Sequence, residues 1–414
     1  METRTIELGS VIKDIAAGPF GSNLKVSCFV NEGFPIIDGA NLKGYKVTDN
    51  LSKFVTEEKA RSLSRSIAHR GDVVVTISGT LGQIAYIPDD SQYEEYLCSQ
   101  RQFRVTFDTN KVYVPFLVFY FHTYEGQNKI LSFANQTGVP ALLQPLKNFK
   151  NITVRLPKLQ EQKQIAGIIE CINAKIENNQ KIKDNLLKQL TVLYKSWYRD
   201  FSLVNDSDFV DTEYGKVPQG WKYTLLGDLC QSVSVKHKFN KEELIFLNTG
   251  DIEDGRFLHS NYMIVKDMPG QAKKTIAPGD ILYSEIRPIN RHFAYVNIPS
   301  DDYVVSTKLM VIRAKNIDSR RLYHYLTSDD ILSELQHQAE SRSGTFPQIR
   351  FENVSRLPIL IADEQTESKF TDMLHCVYDQ IDHINSENEK LAEFRDSILP
   401  KLMTGEIDVS SIRF

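Results

Sequence analysis

No stretch of this 414-residue sequence is long and apolar enough to span a bilayer. The most apolar run, Val112–Phe121, covers ten residues, half of the roughly 20 that a spanning helix needs. The opening Met1–Asp14 interleaves Glu2, Arg4, Glu7 and Lys13 with its apolar residues, which is not the pattern of a secretory leader. Cysteine is scarce. Cys28, Cys98, Cys171, Cys230 and Cys376 are odd in number and scattered, with no CxxC or Cys/His set at zinc spacing. A disulfide framework and a structural metal are excluded, and a reduced, cytoplasmic chain is expected. Charge of one sign is also lacking: 49 Lys+Arg stand against 53 Asp+Glu, a net of −4. The balance is uneven along the chain. Residues 151–204 carry nine basic and five acidic residues, whereas residues 357–414 carry five and twelve. Total charge therefore neither demands nor excludes a nucleic-acid partner.

Catalytic signatures are missing too. There is no GxxxxGK[ST] phosphate loop and no GxGxxG after a strand. The Gly-rich run Ser78-Gly79-Thr80-Leu81-Gly82-Gln83 has no lysine and reads as a loop between strands. No Asn-Pro-Pro-Tyr-like tetrapeptide occurs, and the nine histidines form no HExxH or HxE with CxxC, which removes base methylation, zinc hydrolase and deaminase readings. Glu57-x-Lys59 and Glu367-x-Lys369 resemble half a nuclease set but lie in helical context. No catalysis by the chain itself is expected.

What the sequence does contain is enough apolar material for a packed core, at 41% hydrophobic residues, and an internal repeat with a period of about 205 residues. Gly71-Asp72-Val73-Val74 answers Gly279-Asp280-Ile281-Leu282. Tyr96-Leu97-Cys98-Ser99 answers Tyr303-Val304-Val305-Ser306, and Thr137-Gly138 answers Ser343-Gly344. Phe149-Lys150-Asn151-Ile152 answers Phe351-Glu352-Asn353-Val354, and Glu161-Gln162 is matched to Glu364-Gln365. Each half opens with short β-type runs (Asp72–Ile77 and Arg101–Phe107; Asp280–Ser284 and Lys308–Arg313) and a short helix, Val114–Tyr124 or Ser319–Thr327. Each closes on a long helix. Apolar residues recur every three or four positions from Ile165 to Trp197 and from Phe370 to Leu402, a narrow stripe of coiled-coil type. Such a helix spans about 60 Å at 1.5 Å per residue, and the two stripes are natural partners. Asn178, Asn179, Asn385 and Asn388 interrupt them midway, where a buried Asn can set register. The fold class is α+β: two similar globular domains and two long helices.

In this frame the sequence resembles the DNA-specificity (S) subunits of type I restriction-modification enzymes. The residues that carry the resemblance in the first domain are Gly18-Pro19-Phe20-Gly21-Ser22, Gly33–Leu42 and Arg70-Gly71-Asp72-Val73-Val74. Further along, Glu161-Gln162-Lys163-Gln164-Ile165-Ala166, Trp197–Phe201 with Gly215–Trp221, and Ile398-Leu399-Pro400-Lys401-Leu402-Met403-Thr404-Gly405-Glu406-Ile407 look like the family's helices and link. The resemblance implies target-recognition domains over residues 1–157 and 223–360, a central helix over 158–204, a linker over 205–222 and a C-terminal helix and tail over 361–414. It implies two helices pairing as an antiparallel coiled coil, spacing the readers and docking two methyltransferase subunits. It further implies a restriction/translocase subunit, double-stranded DNA as ligand, and S-adenosylmethionine, ATP and magnesium held by those partners with no cofactor on this chain.

Base edges are read by Arg, Lys, Asn or Gln on exposed loops. The candidates in the first domain are Lys25, Asn41, Ser78, Thr80, Gln83, Arg101 and Gln102. In the second they are Arg287, Asn290, Arg291 and His292, with Arg342, Gln348 and Arg350. Lys59, Arg61, Arg65, His69 and Arg70 would follow phosphates or form a solvated face. The Ser284–His292 run differs from Ser78–Gln83, so unlike half-sites are expected. The alternative is a coiled-coil protein scaffold without its own DNA readout.

Overall fold

The computed structural model describes residues 3–135, 138–204, 209–341 and 347–409. The chain divides into two compact units, Met1–Asn179 with Glu387–Phe414 and Gln180–Ser386. Each of the two long helices contributes one part of its length to each unit.

In the first unit the strands that frame the repeat are β1 (Thr3–Glu7), β2 (Ile12–Ala17), β3 (Phe34–Ile37), β4 (Val73–Thr76), β5 (Ile84–Tyr86), β6 (Glu95–Cys98), β7 (Gln102–Phe107) and β8 (Thr153–Pro157), with shorter strands beside them. Strands β2-β7-β4-β5 form an antiparallel sheet, β3 and β6 pair in parallel, and β1 pairs with β8. Helices α1 (Val114–Phe121) and α2 (Tyr124–Leu131) precede the long α3 (Leu159–Tyr198). The second unit repeats this plan with β9 (Lys222–Leu225), β10 (Cys230–Val233), β11 (Glu243–Leu247), β12 (Ile281–Ser284), β13 (Phe293–Tyr295), β14 (Tyr303–Ser306), β15 (Leu309–Ala314) and β16 (Pro358–Ile361). Its sheet order is β10-β15-β12-β13, β11 and β14 are parallel, and β9 pairs with β16. Helices α4 (Ser319–Leu326) and α5 (Asp329–Ser341) lead to the long α6 (Glu364–Thr404).

The period-2 alternation of a strand places neighbouring side chains in different cores. Val73 and Val75 face the core with α1, while Val74 joins Ala85 in a second cluster. Ile281 and Tyr283 face α4, while Leu282 turns to the opposite core. The long helices pack antiparallel in each unit and bury much of their apolar stripe, with Ile182 and Phe394 left exposed. In the first unit Asn173 Oδ1 accepts from Arg395 Nη1 at 3.0 Å, and the buried Asn179 donates to Asn388 Oδ1 at 2.8 Å and to Glu387 Oε2 at 2.6 Å. In the second, Tyr198 donates to Glu367 at 2.8 Å and Lys183 to Asn385 at 3.5 Å. Asn179 thus fills the register-setting role open to a seam asparagine, whereas Asn178 is exposed. Trp221 is buried, its indole N–H donating to Asp363 at 3.1 Å. Among the described residues no helix is long and apolar enough to cross a membrane.

Candidate nucleic-acid interface

A Gly-Asp corner launches the central hairpin of each unit. Gly71 and Gly279 take φ of +84° and +88°, a region open to glycine at little cost. The aspartates that follow are buried and fastened. Asp72 accepts from His69 N at 2.9 Å and Thr106 Oγ1 at 2.5 Å, and Asp280 accepts from Ala277 N at 2.8 Å and from both Arg313 donors at 2.6 and 2.8 Å. With this end fixed, the β4–β5 and β12–β13 loops project from the other.

Three segments meet at each projecting loop, through the same backbone bonds. In the first unit Ile77 N donates to Arg101 O at 2.6 Å, Leu142 N to Ile77 O at 2.8 Å and Gly79 N to Pro140 O at 3.0 Å. In the second, Glu285 N donates to Lys308 O at 3.1 Å, Ile349 N to Glu285 O at 2.9 Å and Arg287 N to Pro347 O at 3.3 Å. Ser99 Oγ accepts from Arg101 N, and Ser306 Oγ from Lys308 N. Even the unusual torsions recur: Gly79 and Gly82 lie at φ +98° and +86°, Arg287 and Arg291 at +44° and +58°. The positive-φ positions, three residues apart in one loop and four in the other, therefore carry glycine in one unit and arginine in the other. A non-glycine residue held at positive φ costs of order 1 kcal/mol or more and concentrates at functional sites.

Long stretches of sequence around this face lack carboxylates, although Glu285, Asp254 and Asp329 flank the second loop. Residues 15–31, 73–88, 96–107 and 126–160 lack Asp and Glu, as do residues 286–300, 303–317 and 341–351. The loop over 89–95 carries four. Despite a net negative chain, these long neutral and basic stretches concentrate positive charge towards the loop end of each unit, with Glu285, Asp254 and Asp329 as acids beside the second loop, a partial form of the footprint that a polyanion needs.

The model for the type I restriction modification DNA specificity domain matches residues 20–188 and again residues 218–393. The chain belongs to this family. Over 179 residues, 42% of this chain and 39% of the relative, it is 44% identical to the type I restriction enzyme HindI specificity subunit of Haemophilus influenzae; the match thus spans well under half of that protein. The MjaIX specificity subunit of Methanocaldococcus jannaschii is 22% identical over 97% of this chain and 93% of the relative. The crystal structure of the S subunit from M. genitalium shares the fold, with a TM-score of 0.56 and 15% identity over 97% of this chain and 96% of that one.

The specificity-domain fold brings some predicted readers to this face and ties up others. Thr80, Arg101, Arg287, Asn290 and Arg350 are exposed, Ser78 and Gln348 are partly exposed, and Lys25 is exposed. Asn41 is instead a turn lock. It is buried, accepts from Asp38 N at 3.0 Å and donates to Thr48 O and Asn50 O, so no part of its amide is left for a base. Asn248 and Asp251 make the same reciprocal turn in the second unit with the residue types exchanged. Gln83 bridges Thr76 Oγ1 and Gly39 O, and the buried Gln102 is hydrogen-bonded to Ser99 Oγ. Arg291 is held by Asp254 and Asp329, both at 2.9 Å, and His292 Nδ1 pairs with Ile252 O at 2.8 Å. These five are fold residues, because partners within the same unit already engage their polar groups, close in sequence for Asn41 and Gln102 and about forty residues away for Gln83, Arg291 and His292. Arg342 lies outside the described residues. Arg61 pairs with Glu57 and Glu95, and Arg70 donates to Ser91 O and Tyr93 O, so both serve the acidic loop over 89–95.

Residue-type reasoning missed others. Lys308 is the exposed counterpart of Arg101, and the repeat Tyr96–Ser99 against Tyr303–Ser306 already places it. Lys236, Lys238 and Lys273 are exposed beside it: Lys236 bridges to Lys274, whose Nζ donates to Thr307 O and Leu309 O on either side of Lys308. In the first unit Phe20 is 83% exposed on the loop that Gly18 pins to the same turn, Gly18 N donating to Gln102 O at 2.8 Å. A Cβ on Gly18 would fall 1.9 Å from Ser99 O, so only glycine permits that approach. Among the described residues no group of three or more His, Cys, Asp or Glu is placed to hold a metal ion.

Proposed function

We propose that the chain is the DNA-recognition subunit of a type I restriction-modification complex, each unit reading one half of a split double-stranded site through its loop face. The observation that carries this reading is the doubled specificity domain, whose two copies share the backbone bonds that brace that face and differ in the loops they hold. Arg101 and Thr80 in one unit, and Arg287, Asn290 and Lys308 in the other, are the proposed contacts. Arginine gives bidentate readout of guanine, whereas the lysines meet phosphates and fix register without sequence information. Lys25, Ser78, Gln348 and Arg350 stand as secondary candidates. The long helices act as spacer and as platform for two methyltransferase subunits, with restriction/translocase subunits joining for cleavage. Methyl transfer and cleavage, with S-adenosylmethionine, ATP and magnesium, are assigned to those partners, and the chain itself to a non-catalytic role in the cytoplasm.

The test is methylation mapping in cells carrying this chain with its neighbouring methyltransferase. The expected result is a motif of two short half-sites and a fixed gap, lost when this chain is deleted. Replacing Arg287 and Asn290 should alter one half-site and leave the other. Lys308→Ala should weaken binding across sequences and reduce the salt dependence. Methylation that survives deletion unchanged would overturn the proposal and favour the scaffold.

A further inference from the structure

In the second unit a guanidinium fills the angle between sheet and long helix. Arg320 is 5% exposed, its guanidinium carbon 3.9 Å from the ring centre of Tyr295 and 5.2 Å from that of Tyr378, with Nη2 2.5 Å from Asp382 Oδ2. The register of the repeat carries this arrangement into the first unit. Tyr295 stands opposite Ile281 as Tyr86 stands opposite Val73. Asp318 and Tyr113 immediately precede α4 and α1, so Pro115 takes the place of Arg320. Glu367 accepts from Ala362 N, and Gln162 donates to Pro157 O; counting on from this pair of first-turn residues, Glu177 takes the place of Asp382. Tyr86, 7% exposed, and the carboxylate wall are kept, Asn173 stands in the place of Tyr378 and accepts from Arg395, and Pro115 brings no cation in place of Arg320.

Where it would lie the first unit is open. Two adjoining clefts of about 480 and about 220 Å³ share Lys46, Tyr86 and Glu170, and extend to Pro115 and to Glu177 respectively. Carboxylates outnumber cations there: Asp89, Asp90, Glu170 and Glu177 against Lys46 and Lys163. Lys46 reaches Glu177 only at 4.0 Å. Burial pushes the Glu170 carboxyl above its usual range, with Lys46 and the hydroxyls of Tyr86, at 3.4 Å, and Tyr113 opposing, so these neighbours do not offset its desolvation.

We propose that this cleft receives a guanidinium group, presented by an arginine side chain of a protein partner, stacked on Tyr86 and paired with Glu170 and Glu177. A planar guanidinium can stack on a ring and donate in its own plane to carboxylates, which an ammonium cannot do. That the arginine belongs to a protein rests on the reading of the chain as one subunit of a larger complex; guanidinium binding itself does not, and requires no DNA.

The experiment uses the full chain with ring-labelled tyrosines, assigned by Tyr→Phe substitution, titrated with Nα-acetylarginine methylamide, free arginine and Nα-acetyllysine methylamide. Tyr86 should shift saturably with the capped arginine while Tyr295, already covered by Arg320, stays still. The lysine probe should bind at least fivefold more weakly. Glu177→Gln should weaken arginine binding about tenfold with Tyr295 unmoved, which reports an intact fold. Pro115→Arg should fill the cleft from within and silence the titration. No saturable Tyr86 shift, equal response to lysine, or equal movement of Tyr295 would overturn the site; preference for free arginine over the capped form would overturn the protein occupant. Failure of the methylation test would leave the tyrosine titration standing, so the two proposals fall separately.

Discussion

The two units share a backbone and disagree about how to fill its core. Helix α1 reads Val-Pro-Phe-Leu-Val-Phe-Tyr-Phe and all eight residues are buried; α4 reads Ser-Arg-Arg-Leu-Tyr-His-Tyr-Leu and seven of eight are buried. At the position of Phe116 the second unit carries Arg321, fully buried, with Glu367 at 2.9 Å where the first unit has Gln162. Arg321 Nη1 has no hydrogen-bond partner, but the guanidinium lies over Tyr198, Tyr194 and Phe370 at 4.6, 5.2 and 5.3 Å, so aromatic faces replace the missing acceptor. The lesson is that one fold accepts either an apolar or an ionic interior when each buried polar group is partnered, since an unpartnered one is what costs stability.

The sharpest way to break this comparison is to remove one member of the ionic set. Arg321→Ala should destabilise the second unit by about 3–5 kcal/mol, because it strands a carboxylate and opens a cavity. Hydrogen exchange should show the loss in Gln180–Ser386, with the α1 region of the first unit unchanged. Arg321→Phe with Glu367→Gln, which copies the first unit, should recover most of that loss.

Acid should separate the units next. Burial holds the His324 imidazole down at about 3, and the repeat register places Phe119 in the equivalent site. The unfolded imidazole takes up a proton below about 6.5 while the folded one does not, so the unfolded state binds more protons and stability falls as pH drops from about 6.5 towards 3, by up to about 1.4 kcal/mol per pH unit. His122 in the first unit is also lowered by burial. Exchange measured segment by segment across this window should show the second unit loosening first, and His324→Phe should flatten its pH dependence. A slope unchanged in that variant would remove His324 as the cause.

The smallest effect concerns the loops. Arg287→Gly gives the second unit the residue that the first uses at positive φ, and should stabilise it by about 1 kcal/mol in urea unfolding. The same change should degrade one half-site. A gain in stability with recognition intact would identify the strained arginine as incidental.

Much of this architecture could be read before the structure. Gly71-Asp72 and Gly279-Asp280 mark the corners because positive φ and a capping carboxylate are local demands, and the seam residues mark the helices because 3.6-residue periodicity is local too. The helix-start match was displaced by two. Glu161-Gln162 resembles Glu364-Gln365, yet it is Glu367 that shares with Gln162 the task of tying the helix's first turn to the end of the preceding strand. Similar letters marked the helix start, and packing chose the residue that reaches back.

By itself the sequence determined the repeat, the strand-rich domains and the amphipathic helices, because each follows from short-range torsion and periodicity. Only the tertiary structure decided which polar side chains are free to meet a ligand. Gln83 is occupied by Gly39 O and Arg291 by Asp254 and Asp329, while Arg287 and Lys308 stand exposed. A hydrogen-bonding group is satisfied by whatever the fold brings within 3 Å or so of it, and that neighbour can be forty residues away.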